Sequence, residues 1–148
     1  MSAYDDAVKL LARRAYSRRA IEERLAAKGH APGRIDDALT RLAAAGALDD
    51  EAYARRYVAD QGAARGRERL LAELAARGVP QDVASSAFQD RDDAGALARA
   101  VRRRLGAPPG KADRGRVARV YNALLSEGFE PGCIASALVP YGFRGDDA

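Results

Sequence analysis

Apolar side chains return every third or fourth position along this chain, and short polar breaks carrying glycine or proline interrupt them at regular distances. Tyr4, Ala7, Val8, Leu11 and Ala15 fall on one face of a first helix, with Lys9, Arg13 and Arg14 elsewhere. Ser17 then offers a hydroxyl to cap a second helix, in which Ile21 and Leu25 point inward and Lys28-Gly29 closes the run. Pro32 opens a third, where a missing N–H costs little, and Ile35, Ala38, Leu39 and Leu42 form its stripe before Gly46.

The same order of features comes round twice more. Asp49-Asp50 starts a helix with Tyr53, Ala54, Tyr57 and Val58 on its apolar face, and Gly62 and Arg65-Gly66 loosen its end. Leu70, Leu71 and Leu74 lead to Gly78, then Pro80 begins a segment with Val83, Ala87 and Phe88. Asp92-Asp93 opens the last group with Leu97, Val101 and Leu105, and Ala107-Pro108-Pro109-Gly110 breaks the chain. Beyond it Val117, Val120, Tyr121, Leu124 and Leu125 share one side of a helix. Gly128, Pro131, Ile134 and Leu138 follow, and Pro140 stops the run. The tail from Tyr141 reads as short, polar and frayed, although Tyr141 and Phe143 could dock back.

Aligning the breaks exposes a repeat. Leu25–Leu39, Leu74–Phe88 and Leu124–Leu138 align on Gly29, Gly78 and Gly128, the middle copy being one residue shorter after its glycine. A period of about fifty residues is that of stacked supersecondary units. The pattern therefore predicts an all-α fold of nine helices in three tandem three-helix repeats, residues 1–48, 49–91 and 92–148. Each is too small to bury a core comfortably alone, so the repeats should lean on one another in an elongated, curved array.

Composition narrows the function by exclusion. A single Cys133 and a single His30 in 148 residues allow neither an internal disulfide nor a Cys/His metal site. No phosphate-cradling glycine loop, dinucleotide fingerprint or zinc-protease motif occurs. His30 follows a helix-closing glycine, where Val79 and Phe129 stand in the other copies, so packing accounts for it; Cys133 beside Ile134 reads as a small buried hydrophobe. Paired carboxylates at Asp5-Asp6, Asp49-Asp50 and Asp92-Asp93 suit helix starts, and Asp36-Asp37 is spaced to pair with Arg34 and Arg41. No catalytic constellation, cofactor or metal is expected. No run approaches the roughly 18 apolar residues of a membrane span, and Met1–Asp6 lacks a secretory signal, so the expected location is the cytoplasm.

Charge changes the picture. Arg99, Arg102, Arg103, Arg104, Lys111, Arg114, Arg116 and Arg119 lie between Ala98 and Val120 with Asp113 as the only acid, in a chain whose total is +4. The rest of the chain is therefore net acidic. Arg65, Arg67 and Arg69 form a smaller cluster, and Arg13, Arg14, Arg18 and Arg19 another. The large cluster, and with it Arg65, Arg67 and Arg69, is the candidate contact for a polyanion or an acidic protein surface, by phosphate neutralisation or ion pairing. The bland alternative is an ordinary solvated face.

Tyr16-Ser17, Leu25, Lys28-Gly29, Ile35, Ala38-Leu39, Leu42, Gly46, Leu48-Asp49-Asp50, Tyr53-Ala54 and Tyr57 together resemble the regulatory protein RecX family. Arg69-Leu70, Leu74 and Arg77-Gly78 continue the likeness, which runs from about Ala7 to Gly78 and more weakly to Phe143. Two departures stand out: Ala64-Arg65-Gly66-Arg67 replaces a Gly-aromatic-Gly-Pro turn, and Ala47 is smaller than its usual counterpart. The resemblance implies a modulator that lies in the groove of the RecA–DNA filament and mainly restrains it, in filament extension, strand exchange and ATP hydrolysis; the residues themselves point to no enzyme, and a monomer is expected. Its partners would be the RecA filament and, non-specifically, single- or double-stranded DNA, with no membrane. A free-standing DNA-binding protein built of helix-turn-helix-like modules is the alternative.

Overall fold

Nine α-helices and one 3-10 turn make up the described residues of the computed structural model, 1–108 and 113–144, with no strand among them. The helices are α1 (Ala3–Arg13), α2 (Arg18–Ala27), α3 (Pro32–Ala44), α4 (Asp50–Gln61), α5 (Arg67–Ala76), α6 (Gln81–Ser86), α7 (Asp93–Leu105), α8 (Arg114–Ser126) and α9 (Pro131–Leu138). Most begin where a short polar side chain can satisfy the first turn. Ser2, Ser17, Asp49, Asp92 and Asp113 each accept a hydrogen bond from the backbone N–H three residues on. Proline takes over in α3 and α9. Each such cap is worth about 1 kcal/mol, which matters for helices this short.

The glycine stops are alike in detail. Gly29, Gly78 and Gly128 have φ of +92°, +89° and +92°, a left-handed conformation that costs other L-residues roughly 1–2 kcal/mol. The next residue's N–H reaches five residues back: His30 to Leu25 at 3.2 Å, Val79 to Leu74 at 3.0 Å, Phe129 to Leu124 at 3.2 Å. Those bonds satisfy carbonyls that the helix end would leave bare. The repeat seen in sequence is thus a repeated helix-closing turn.

The helices assemble into two compact units, one of Met1–Arg56 with Glu73–Ala87, the other of Tyr57–Ala72 with the chain from Phe88 on. Helices α4 and α5 each give residues to both units. In the first unit Ala3 and Ala7 of α1, Ile21 and Leu25 of α2, and Ile35, Ala38, Leu39 and Leu42 of α3 form one core with Leu48. Two expectations fail there. Val8 is 42% exposed, and Ala15 is exposed beyond the end of α1. Helix α1 turns the expected Ala7 inward together with Ala3, with Tyr4, Leu10 and Leu11 half-buried, since small residues let it pack closely on α2 and α3.

In the second unit Leu97, Ala100 and Val101 of α7, Val117, Val120 and Leu124 of α8, and Ile134 and Leu138 of α9 make the core. Leu125, expected on the inner side of α8, is 42% exposed. The chain after α9 does pack back. Tyr141 and Phe143 are buried, Tyr141 Oη donates to the Gly106 carbonyl at 2.6 Å, and Phe143 stacks on Tyr121 at 5.2 Å between centroids. Pro140 sits within a 3-10 turn, Val139–Tyr141, that carries this return.

Candidate interaction surface

Within each unit a glycine corner is seated on the start of an earlier helix. In the first, Ser17 at the cap of α2 is 1% exposed; its Oγ accepts from Ala20 N and donates to the carbonyl of Arg77, the residue before Gly78. A Cβ at Gly78 would stand 2.6 Å from Arg19 Cβ. In the second, Gly66 at the start of α5 donates its own N–H to the carbonyl of Glu127, the residue before Gly128, at 2.6 Å. A Cβ on Gly66 would run into the Gly128–Phe129 backbone, and one on Gly128 into the backbone of Arg69. Ser17 and Gly66 precede their helices at the same register, so one junction is made twice, by a hydroxyl and then by bare backbone.

Arg65, Arg67 and Arg69 lie beside this junction, and each has a partner in the second unit. Arg69 pairs with Glu127 at 2.6 Å, Arg67 lies over the Phe88 ring and 3.9 Å from Asp93, and Arg65 donates to Gln61. The segment Gly62–Gly66, expected to be loose, is instead held. The largely buried Arg91 donates to the carbonyls of Gly62 and Arg65, and Arg103 to that of Ala63 at 2.7 Å. Burial draws the Arg91 pKa down from its ordinary value, opposed by Asp93 at 3.4 Å. Nothing in the local sequence marks Arg91 for this task.

The larger basic run lies in the second unit, on α7 and α8. Arg99, Arg102, Arg103 and Arg104 are exposed along α7, with the last three in its final turn, where cations complement the helix dipole. Arg114, Arg116 and Arg119 are exposed on α8. Arg116 donates to the Arg104 carbonyl at 2.7 Å and so ties the start of α8 to the end of α7. Asp113, the one acid of the run, accepts from Arg116 N at 2.7 Å as the cap of α8, so its charge serves a helix start. Lys111 lies outside the described residues. Planar guanidinium forks standing in water suit phosphate or carboxylate recognition.

The first unit's basic residues are largely engaged. Arg14 and Arg24 each lie 4.7 Å from the Tyr16 ring centroid, Arg41 lies over Tyr4, and Arg19 pairs with Glu23 at 3.0 Å. His30 occupies its packing position half-buried, with its Nε2 2.6 Å from Asp6 Oδ2 and Lys28 on the other oxygen at 3.7 Å. The bond to His30 holds the Asp6 carboxyl below its ordinary range. Cys133 is exposed, contrary to expectation, because α9 turns Ile134 inward. Its thiol donates to Glu130 at 2.9 Å, and that contact pushes its pKa up. Among the described residues no group of three His, Cys, Asp or Glu could hold a metal, and no helix is long and apolar enough to cross a membrane.

Two family models match this helix order: the first three-helix domain of RecX over residues 3–42, and its second three-helix domain over 49–87. Regulatory protein RecX of Chromobacterium violaceum is 33% identical over 132 residues, covering 89% of this chain and 86% of that one. The chain belongs to the regulatory protein RecX family. The RecX of Chromohalobacter salexigens is 44% identical over 86 residues, so this alignment spans 57% of either protein. The crystal structure of RecX from Lactobacillus salivarius superposes with a TM-score of 0.81 at 17% identity over 96% of each chain, a likeness of fold. Regulation is thus the family's role, and the third helix triplet lies beyond the residues that the two models match.

Proposed function

We propose that this chain is a negative modulator of the RecA recombinase. It would bind along the groove of the RecA–DNA filament and restrain filament extension, strand exchange and ATP hydrolysis without catalysing a reaction itself. Membership of a regulatory family supports the class of activity. The observation that carries the choice of surface is the row of exposed arginines Arg99, Arg102, Arg104 and Arg119 on α7 and α8. Arg67 and Arg69 are secondary contacts in this reading, since each already faces a carboxylate. Three repeated modules acting along a repeating partner would gain from linkage more than any one contact provides. A monomer in the cytoplasm fits this role.

The test is RecA-dependent ATP hydrolysis and strand exchange on single-stranded DNA with and without the protein. Inhibition at or below stoichiometric amounts is expected. No effect on either, with steeply salt-dependent binding to duplex DNA alone, would favour the free-standing DNA-binding protein instead.

A further inference from the structure

We propose that the groove between α7 and α9 docks a protein segment that carries a bulky apolar side chain beside lysine or arginine. The groove is open on one side, has a volume of about 900 Å³ and lies wholly within the second unit. That volume falls in the range of roughly 300–1,000 Å³ typical of sites that recognise a ligand. Leu97 and Phe129 line it from the core, nearly covered, and the open apolar surface comes from small side chains, Ala94 and Ala98 on α7 and Ala137 on α9. An apolar side chain entering there finds surface to bury without displacing a protein group.

Charge selects the occupant. Arg67 is the one cation that lines the groove, and it already lies over Phe88 and faces Asp93. Asp93 is further met by Arg91 at 3.4 Å. Glu68 and Glu130 remain on the rim without a basic partner in the groove, Glu130 taking only the Cys133 thiol. Two such carboxylates repel phosphate, so this site excludes nucleic acid, in contrast to the arginine row. They favour a cation placed next to the buried apolar group. The proposal does not depend on which partner the arginines meet.

The experiment uses the full chain and a short fluorescein-labelled helical peptide with two leucines one turn apart, flanked by lysines. Two control peptides exchange leucine for serine or lysine for glutamate. Saturable binding of the first peptide, at least roughly tenfold tighter than either control, is expected by anisotropy. Bound peptide should also slow the reaction of Cys133, the chain's single thiol, with DTNB. Ala98→Trp, at an exposed position, should abolish binding with helicity unchanged. Glu130→Lys should shift preference toward the glutamate peptide. Equal binding of all three peptides, no saturable binding, or undiminished binding to Ala98→Trp would overturn the proposal.

Discussion

The corner at Gly78 and the corner at Gly128 share one backbone geometry but are received differently. Ser17 reaches the Arg77 carbonyl with a hydroxyl, whereas Gly66 reaches the Glu127 carbonyl with its own N–H. At the first junction a Cβ on Gly78 would meet the side chain of Arg19, not backbone. At the second, a Cβ on Gly66 or Gly128 would meet backbone, so glycine is required on both sides. Equivalent positions of a repeat therefore carry different residues for one purpose, a side-chain donor in one and a backbone donor in the other. The corner at Gly29 completes the comparison: a Cβ there would meet nothing within 4 Å.

Substitutions can break this comparison in order of size. Gly128→Ala combines a left-handed backbone with a collision against Arg69 and should cost about 3 kcal/mol in denaturant unfolding. Ser17→Ala removes a cap and leaves the Arg77 carbonyl without its hydroxyl donor, for a loss of about 2 kcal/mol. Gly29→Ala has only the backbone term, roughly 1–2 kcal/mol, and should fall clearly short of Gly128→Ala. Equal losses at Gly29 and Gly128 would show that the second junction contributes nothing.

A smaller effect concerns the first unit. The Asp6 carboxyl is held below its ordinary value of 3.8, chiefly by His30. The folded state therefore binds that proton less readily than the unfolded state. The stabilisation is present above that ordinary value and is lost as pH falls through the lower folded one. Melting temperatures of the wild type and Asp6→Asn should converge as pH is lowered through that window; a constant gap would contradict the pairing.

The helix order and the three corners were legible because glycine after a helix, followed by proline or a capping residue, leaves a local imprint. Ser17 was legible as a cap, but its bond to Arg77 joins residues 60 positions apart and has no local imprint. Gly66 illustrates the opposite error. A glycine beside arginine looks like a loose end, yet here it marks close backbone approach. Val8, Leu125 and Cys133 were misplaced because helical spacing yields a stripe without telling which edge a neighbour covers. In the candidate surface, the run from Arg99 to Arg119 was visible as composition. The ion pairs of Arg67 and Arg69 were not, since Asp93 and Glu127 come from other helices.

The most direct measurement is the affinity of the triple charge reversal Arg102→Glu, Arg104→Glu, Arg119→Glu for RecA filaments on single-stranded DNA, compared with wild type at one salt concentration. These side chains are exposed, so the variant should stay folded, with a loss of about 1–2 kcal/mol from acidic groups placed at the C-terminal end of α7. The account predicts at least roughly tenfold weaker binding and a parallel loss of ATPase inhibition. Unchanged affinity in a folded variant would contradict it.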